Sequence, residues 1–339
     1  MFLAREGDFI KSVEGLIFDV KGLVHPEDRV VAYIRYYPNP KGDRVRNRVR
    51  YSKVYSLTER DELLKTTYPR YRLFDPVFGD YIEEVPINVI MRHYKPADEL
   101  RDLRKRLSID EAEKLALDLA DLLRVHSGIK WRQIGISGSI LLGLHEKYSD
   151  LDILVYGSDA CASIYKTIAD LFQAKNSPIK PYDLTGIRKL YKFRSKDTRI
   201  PLSTFMRTER RKRLQGTFKG RDYFIRFVKD WNEVSEKYGD KKYTSIGYSK
   251  IKAKIVDDSD GVFTPCSYLI SRVKMLSGTP ISTIKEVASF RGRFCEQAKV
   301  DEWIVAQGKL EKVTSRNGDE YFRLLLGGLS TDFMIVVKG

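Results

Sequence analysis

Two short stretches of this chain carry the residue types of phosphoryl chemistry at a workable separation. Gly135-Ile136-Ser137-Gly138-Ser139 is a small-residue turn, and Asp150-Leu151-Asp152 sets two carboxylates shortly after it. Residues two apart on a strand share a face. Two acids placed that way repel and are costly to desolvate unless a cation lies between them. A hard divalent ion with oxygen ligands, Mg²⁺ or Mn²⁺, meets that need at Asp150 and Asp152. The Gly-Ser turn suits the opposite charge. Glycine lets backbone approach a ligand closely, and amides opening a helix favour an anion. The Ser139 hydroxyl can add a hydrogen bond to a phosphate oxygen. A nucleoside triphosphate held by Gly138 and Ser139 beside metal-binding aspartates is the arrangement of nucleotidyl transfer. The plainer alternative is an ordinary Gly-Ser turn next to a solvated Asp-x-Asp.

The elements that would position these groups can be read on either side. Ile134 to Ser137 predicts a short buried strand, and Ile140 to His145 a short helical piece. Leu151 to Tyr156 predicts a second strand, ended by Gly157-Ser158. Upstream, Pro96 to Leu107 reads as a charged helix. Ser108-Ile109-Asp110-Glu111 then reads as a capping box for a helix with Ala112, Leu115, Leu117, Leu119, Leu122 and Leu123 on its apolar side. Gly128 closes it. Downstream, Ser158 is expected to cap a helix to about Lys175, and Tyr223 to Val228 is expected to be a third strand of the same sheet.

Gly138, Ser139, Asp150 and Asp152, in this strand-turn-helix-strand setting of about forty residues, resemble the polymerase-beta-like nucleotidyltransferase superfamily. The resemblance implies three acids. Two hold the metals, and a third, on the neighbouring strand, helps bind the catalytic metal and deprotonates the attacking hydroxyl. The chain departs from that pattern. Tyr223 to Val228 contains no acid, and alignment on Ile225-Arg226 puts Phe224 at the usual acid position. Asp222, on the same strand face, is the first choice for the third carboxylate. Asp230 at the other strand end is the second, and Asp257 or Asp258 the third. If none reaches the metals, the chain would be a catalytically degenerate nucleotidyltransferase-fold protein acting as a nucleic-acid-binding module.

Charge bears on the acceptor. The chain of 339 residues has a net charge of +15. Between Lys180 and Lys229 sixteen Lys or Arg face four acids, so most of the excess lies in that segment. Such concentration favours a polyanionic partner, RNA over DNA, with Arg207, Arg210, Arg211 and Arg213 as candidate contacts. Arg44, Arg46, Arg48 and Arg50 alternate along a predicted strand, Arg44 to Tyr55, that returns from Val30 to Tyr37. One face of arginines would suit a phosphate backbone or serve as an exposed, aggregation-resistant edge.

The expected class is α+β. A central mixed nucleotidyltransferase sheet with packed helices spans 96–240, after a β-rich region with the Arg-lined hairpin at 1–95. A small all-β barrel or sandwich, at 241–339, completes it, with Asn317-Gly318 as a hairpin turn. Leu57 to Thr67 reads as a short helix capped by Thr58. Three scattered cysteines and four histidines have no metal-ligand spacing, so no zinc site is expected. No stretch has the apolar length of a membrane helix or the layout of a signal peptide, so a cytoplasmic protein without membrane contact is expected.

Overall fold

The computed structural model describes residues 2–281 and 283–338. The α+β expectation holds, with seven α-helices and nineteen strands in three sheets among the described residues. The chain forms two compact units, each drawn from three stretches. One comprises 1–55, 84–182 and 213–235, and the other 56–83, 183–212 and 236–339.

The N-terminal sheet opens with β1 (Phe9–Ser12), β2 (Ile17–Val20), β3 (Arg29–Pro38), β4 (Arg44–Arg46) and β5 (Val49–Lys53). It continues with β6 (Arg72–Asp75), β7 (Asp80–Pro86) and β8 (Ile90–Tyr94). The order is β4-β5-β3-β2-β1-β8, with β7 also on β3 and β6 on β7. All four residues of β2 are buried, including Asp19, an acid within an otherwise apolar strand. The expected single arginine strand is instead two strands. Asn47 and Arg48 both have positive φ, 48° and 65°, and fold it back as a tight hairpin, so Arg44 pairs with Tyr51 and Arg46 with Val49. Among the helices, α1 (Leu57–Thr66) is capped by Ser56, not Thr58; the Ser56 hydroxyl accepts from the Glu59 amide at 3.0 Å.

In the first unit, α2 (Pro96–Leu103) and α3 (Glu111–Ser127) precede the central sheet. The capping box of α3 lies two residues later than expected, on Asp110 and Glu113, and Gly128 closes the helix in the left-handed region. Its buried side is Ala112, Ala116, Leu119, Ala120 and Leu123, the narrower stripe of a 3.6-residue repeat. Then come β9 (Ile134–Ile136), α4 (Gly138–Leu141), β10 (Leu151–Tyr156) and α5 (Ser158–Gln173), the last with Gly157 rather than Ser158 at its cap. β11 (Ile179–Lys180), β12 (Gln215–Phe218) and β13 (Arg221–Val228) complete the sheet, in the order β11-β12-β13-β10-β9. β13 runs parallel to β10 and the other pairs are antiparallel.

The second unit contains α6 (Leu184–Arg194), capped by Asp183, and α7 (Leu202–Glu209). Its largest part is β14 (Lys241–Asp257), β15 (Cys266–Ser277), β16 (Ile284–Ser289), β17 (Trp303–Ser315), β18 (Glu320–Leu326) and β19 (Phe333–Val337). The order β14-β15-β16-β18-β17 closes on itself because β14 also pairs with β17, and β19 adds outside β17. This is a small five-stranded Greek-key barrel. Ile251, Ala253, Tyr268, Val287, Ile304, Leu310 and Leu324 fill its interior.

Candidate active site

The turn between β9 and α4 has a steric reason for its glycine. Gly138 has φ +62°, and a Cβ there would sit 1.9 Å from Asp152 Oδ2. Only glycine lets the turn lie against that carboxylate. The Ser137 amide donates to the Asp152 carbonyl at 2.9 Å, which ties the turn to β10. The Ser137 hydroxyl donates to the Gly7 carbonyl at 2.8 Å. Gly7 itself is pressed on β10, since a Cβ there would meet Leu154 at 2.2 Å. The chain just before β1 is thereby docked onto the central sheet within the first unit.

Ser137, Gly138, Ser139 and Asp152 line one open recess together with Asp19, Arg35, Lys53, Phe224 and Arg226. Asp150, just before the first residue of β10, is exposed, whereas Asp152 is half-buried. The two acids thus differ in environment although alternation gives them one face. Asp150 remains close enough to Lys53 to act on its charge.

Burial pushes the Asp152 carboxyl above its ordinary range, and Asp19 adds to the rise, while Arg226, Lys53 and Arg35 oppose it. For Asp19, burial pulls the same way but is outweighed by Lys21, Arg226 and Arg35, so the group lies below the usual carboxylate range. Lys21 ion-pairs with Asp19 at 2.8 Å and with Glu6 at 3.1 Å, and Arg226 bonds Glu6 at 2.7 Å. Arg226 Nε is buried with no hydrogen-bond partner among the described residues. Burial, reinforced by Arg35, lowers Lys53 to about 8 against the pull of Asp152. Burial likewise pushes Tyr36 up to about 12. The recess therefore carries a carboxylate that resists ionisation beside a lysine that resists protonation.

The parallel register of β10 and β13 puts Phe224 directly opposite Asp152 and Arg226 opposite Leu154. The position where the resemblance implies a third acid is thus an aromatic ring facing the recess. Asp222, one strand repeat earlier, pairs with Thr217 and is half-buried, outside the residues that line the recess. Asp230 accepts from the Trp231 amide and ion-pairs with Arg5 at 3.3 Å. Asp257 lies in the other unit, where its carboxylate accepts from the Ser259 amide. The oxygen donors Asp150 and Asp152 fit a hard divalent cation, with the cations of Arg35, Lys53 and Arg226 suited to phosphate oxygens. A second acid and histidine group, Asp110, Glu113 and His145, is occupied otherwise. Asp110 and Glu113 cap α3, and His145 Nε2 lies 2.6 Å from Asp110.

The arginines singled out from the sequence are dispersed. Arg44 ion-pairs with Glu146 at 2.8 Å, Arg46 bonds the Leu142 carbonyl, and Arg48 is exposed at the hairpin tip. These three do not form one face, because the tight turn reverses the strand between Arg46 and Val49. Arg207 and Arg210 are exposed, and Arg211 pairs with Glu302 at 2.7 Å. Arg213, in the first unit, lies over the Tyr165 ring at 4.7 Å. Sequence reasoning missed Asp19, Lys53 and Arg35. The one local signal was an acid inside Ile17-Phe18-Asp19-Val20, where burial forces a partner.

No described helix is long and apolar enough to cross a membrane. No protein family and no solved structure matches the chain. It is similar along 98% of its length to an uncharacterized protein of Methanocaldococcus jannaschii, MJ1086, with 29% identity over 350 aligned residues and 98% of that protein covered.

Proposed function

We propose that this chain is a polymerase-beta-like nucleotidyltransferase that moves a nucleoside monophosphate from a triphosphate to a hydroxyl, most simply an RNA 3′ end. The observation that carries this reading is the recess in which the Gly138-Ser139 turn abuts Asp152 beside three half-buried cations. Asp150 and Asp152 would hold Mg²⁺ or Mn²⁺, which when bound neutralises phosphate charge. Ser139 and the Gly138 backbone bind the β- and γ-phosphates, and Arg35, Lys53 and Arg226 balance their charge. The acceptor oxygen attacks the α-phosphorus, the bond to the β-phosphate oxygen breaks, and pyrophosphate leaves. The hydroxyl proton goes to a carboxylate, for which Asp222, on the strand that carries Phe224, is the candidate.

Phe224 opposite Asp152 favours a second reading, a degenerate core that binds a nucleotide without turnover. The two separate on incubation with Mg²⁺ and labelled triphosphates, with and without RNA. Label transfer by the wild type, lost in Asp150→Ala/Asp152→Ala, supports the enzyme. Nucleotide binding with no transfer to any acceptor sinks it and leaves the binding module.

A further inference from the structure

Like charges also range together outside the basic segment at 180–229. Along β14, Ile251, Ala253 and Ile255 fill the barrel core, so Lys250, Lys252 and Lys254 alternate on the outside. The register with β15 puts Lys274 directly opposite Lys252. Like charges directly opposed on neighbouring strands destabilise a sheet. Lys254 has an acidic partner, Asp301 at 2.7 Å. Among the described residues, no ion pair to a carboxylate serves Lys250, Lys252 or Lys274.

The same face carries aromatic rings. Trp303 pairs with Lys254 across β14 and β17, and Phe333 lies one strand further out, opposite Gln307. Both are half-buried at the outer surface. The Lys252 ammonium is 5.2 Å from the Trp303 ring centre and the Lys250 ammonium 5.6 Å from that of Phe333. Rows of unpaired lysines suit a chain of phosphates, and rings with an open face suit unstacked bases. Duplex bases would keep their faces covered.

We infer that the β14–β15–β17 face of the C-terminal barrel binds a single strand of nucleic acid, its phosphates on Lys250, Lys252 and Lys274 and a base on Trp303. This rests on the nucleotidyltransferase reading only in calling that strand the acceptor; binding itself does not require turnover.

The test uses the full chain and fluorescent twelve-nucleotide strands of RNA and DNA, with anisotropy followed from low to high salt. Lys250→Gln/Lys252→Gln/Lys274→Gln is expected to flatten the slope of log K against log salt by about 2, at roughly 0.7 per phosphate contact on a single strand. Trp303→Ala is expected to weaken binding by about 5- to 150-fold, the range for loss of one stacked base. Lys114→Gln, on exposed α3 surface, is the charge control and leaves both unchanged. Unaltered binding by the triple variant and by Trp303→Ala overturns the inference, as does wild type that binds no single strand, or binds only anionic vesicles or acidic protein. The RNA and DNA arms tell which sugar is preferred. Binding intact with no label transfer would sink the enzyme reading and leave this one standing.

Discussion

The recess at Asp152 and the lysine face of the barrel handle charge in opposite ways. At the back of the recess, Glu6 and Asp19 interlock with Lys21 and Arg226, and each of these four ions has a counter-ion within about one hydrogen bond. On the barrel, Lys252 and Lys274 face each other with no carboxylate between them. Burial makes the difference. An uncompensated ion in a low-dielectric site costs several kcal/mol, whereas an exposed lysine is paid for by water. Interlocked charge therefore belongs to the fold, and opposed like charge is left over for a ligand.

Removing one partner from the interlocked set is expected to have the largest effect. Arg226→Met leaves Glu6 and Asp19 short of a cation and should cost about 3–5 kcal/mol in urea unfolding. A loss below about 1 kcal/mol would break the comparison, since the recess would then tolerate unpaired charge as the barrel does. Gly138→Ala comes next. A side chain at φ +62° that also collides with Asp152 should cost about 1–3 kcal/mol and abolish nucleotide binding. Unchanged triphosphate affinity would show that the turn does not touch the ligand.

Asp152→Asn sharpens the contrast because its two effects have opposite signs. The folded-state pKa of Asp152 is raised, so its ionised form costs stability above that pKa, and the cost disappears below the unfolded value. The variant should melt higher than wild type at pH 7, match it in strong acid, and lose label transfer. Equal melting at both pH values would remove the strain assigned to this carboxylate. Lys53 supplies the alkaline counterpart. With its pKa down at about 8, the folded protein sheds this proton before the unfolded chain does, so stability rises with pH between about 8 and 10.4. Triphosphate affinity should fall over the lower part of that range, and Lys53→Arg should hold it up. A flat affinity profile would take Lys53 out of the ligand site. The smallest effect belongs to the barrel. Lys252→Thr should raise stability by about 0.2–1 kcal/mol, because it relieves a like-charge pair.

Much of the local geometry was legible in the sequence. Leu151 to Tyr156 is a strand with the expected ends, and Gly128 and Asn317-Gly318 stop their elements where turn chemistry places them. These signals are local, and so are the forces behind them. Asp19, Arg35 and Lys53 lie more than eighty residues before Ser137 and reach the recess only because one sheet docks on another. No periodicity reports such a contact. The arginine hairpin misled for a related reason, since its tight turn uses Asn47 and Arg48 without a glycine. The first half of β14, Lys241 to Lys250, reads as polar in the sequence, and pairing with β17 rather than propensity makes it a strand. β16 is hard to read from the sequence because Lys285 and Glu286 interrupt its short buried run.

The assembly of the second unit from three separate stretches of chain has a consequence in time. The turn at Val77 and Phe78 is held by the Tyr243 amide, which donates to the Val77 carbonyl at 2.7 Å, and by stacking of Phe78 on the Tyr243 ring. During synthesis that early segment leaves the ribosome long before its partner strand exists. At about 5–20 residues per second the wait is on the order of 8–30 seconds. A nascent chain paused before Tyr243 should therefore be cut readily by protease near Phe78, and become resistant once β14 has emerged.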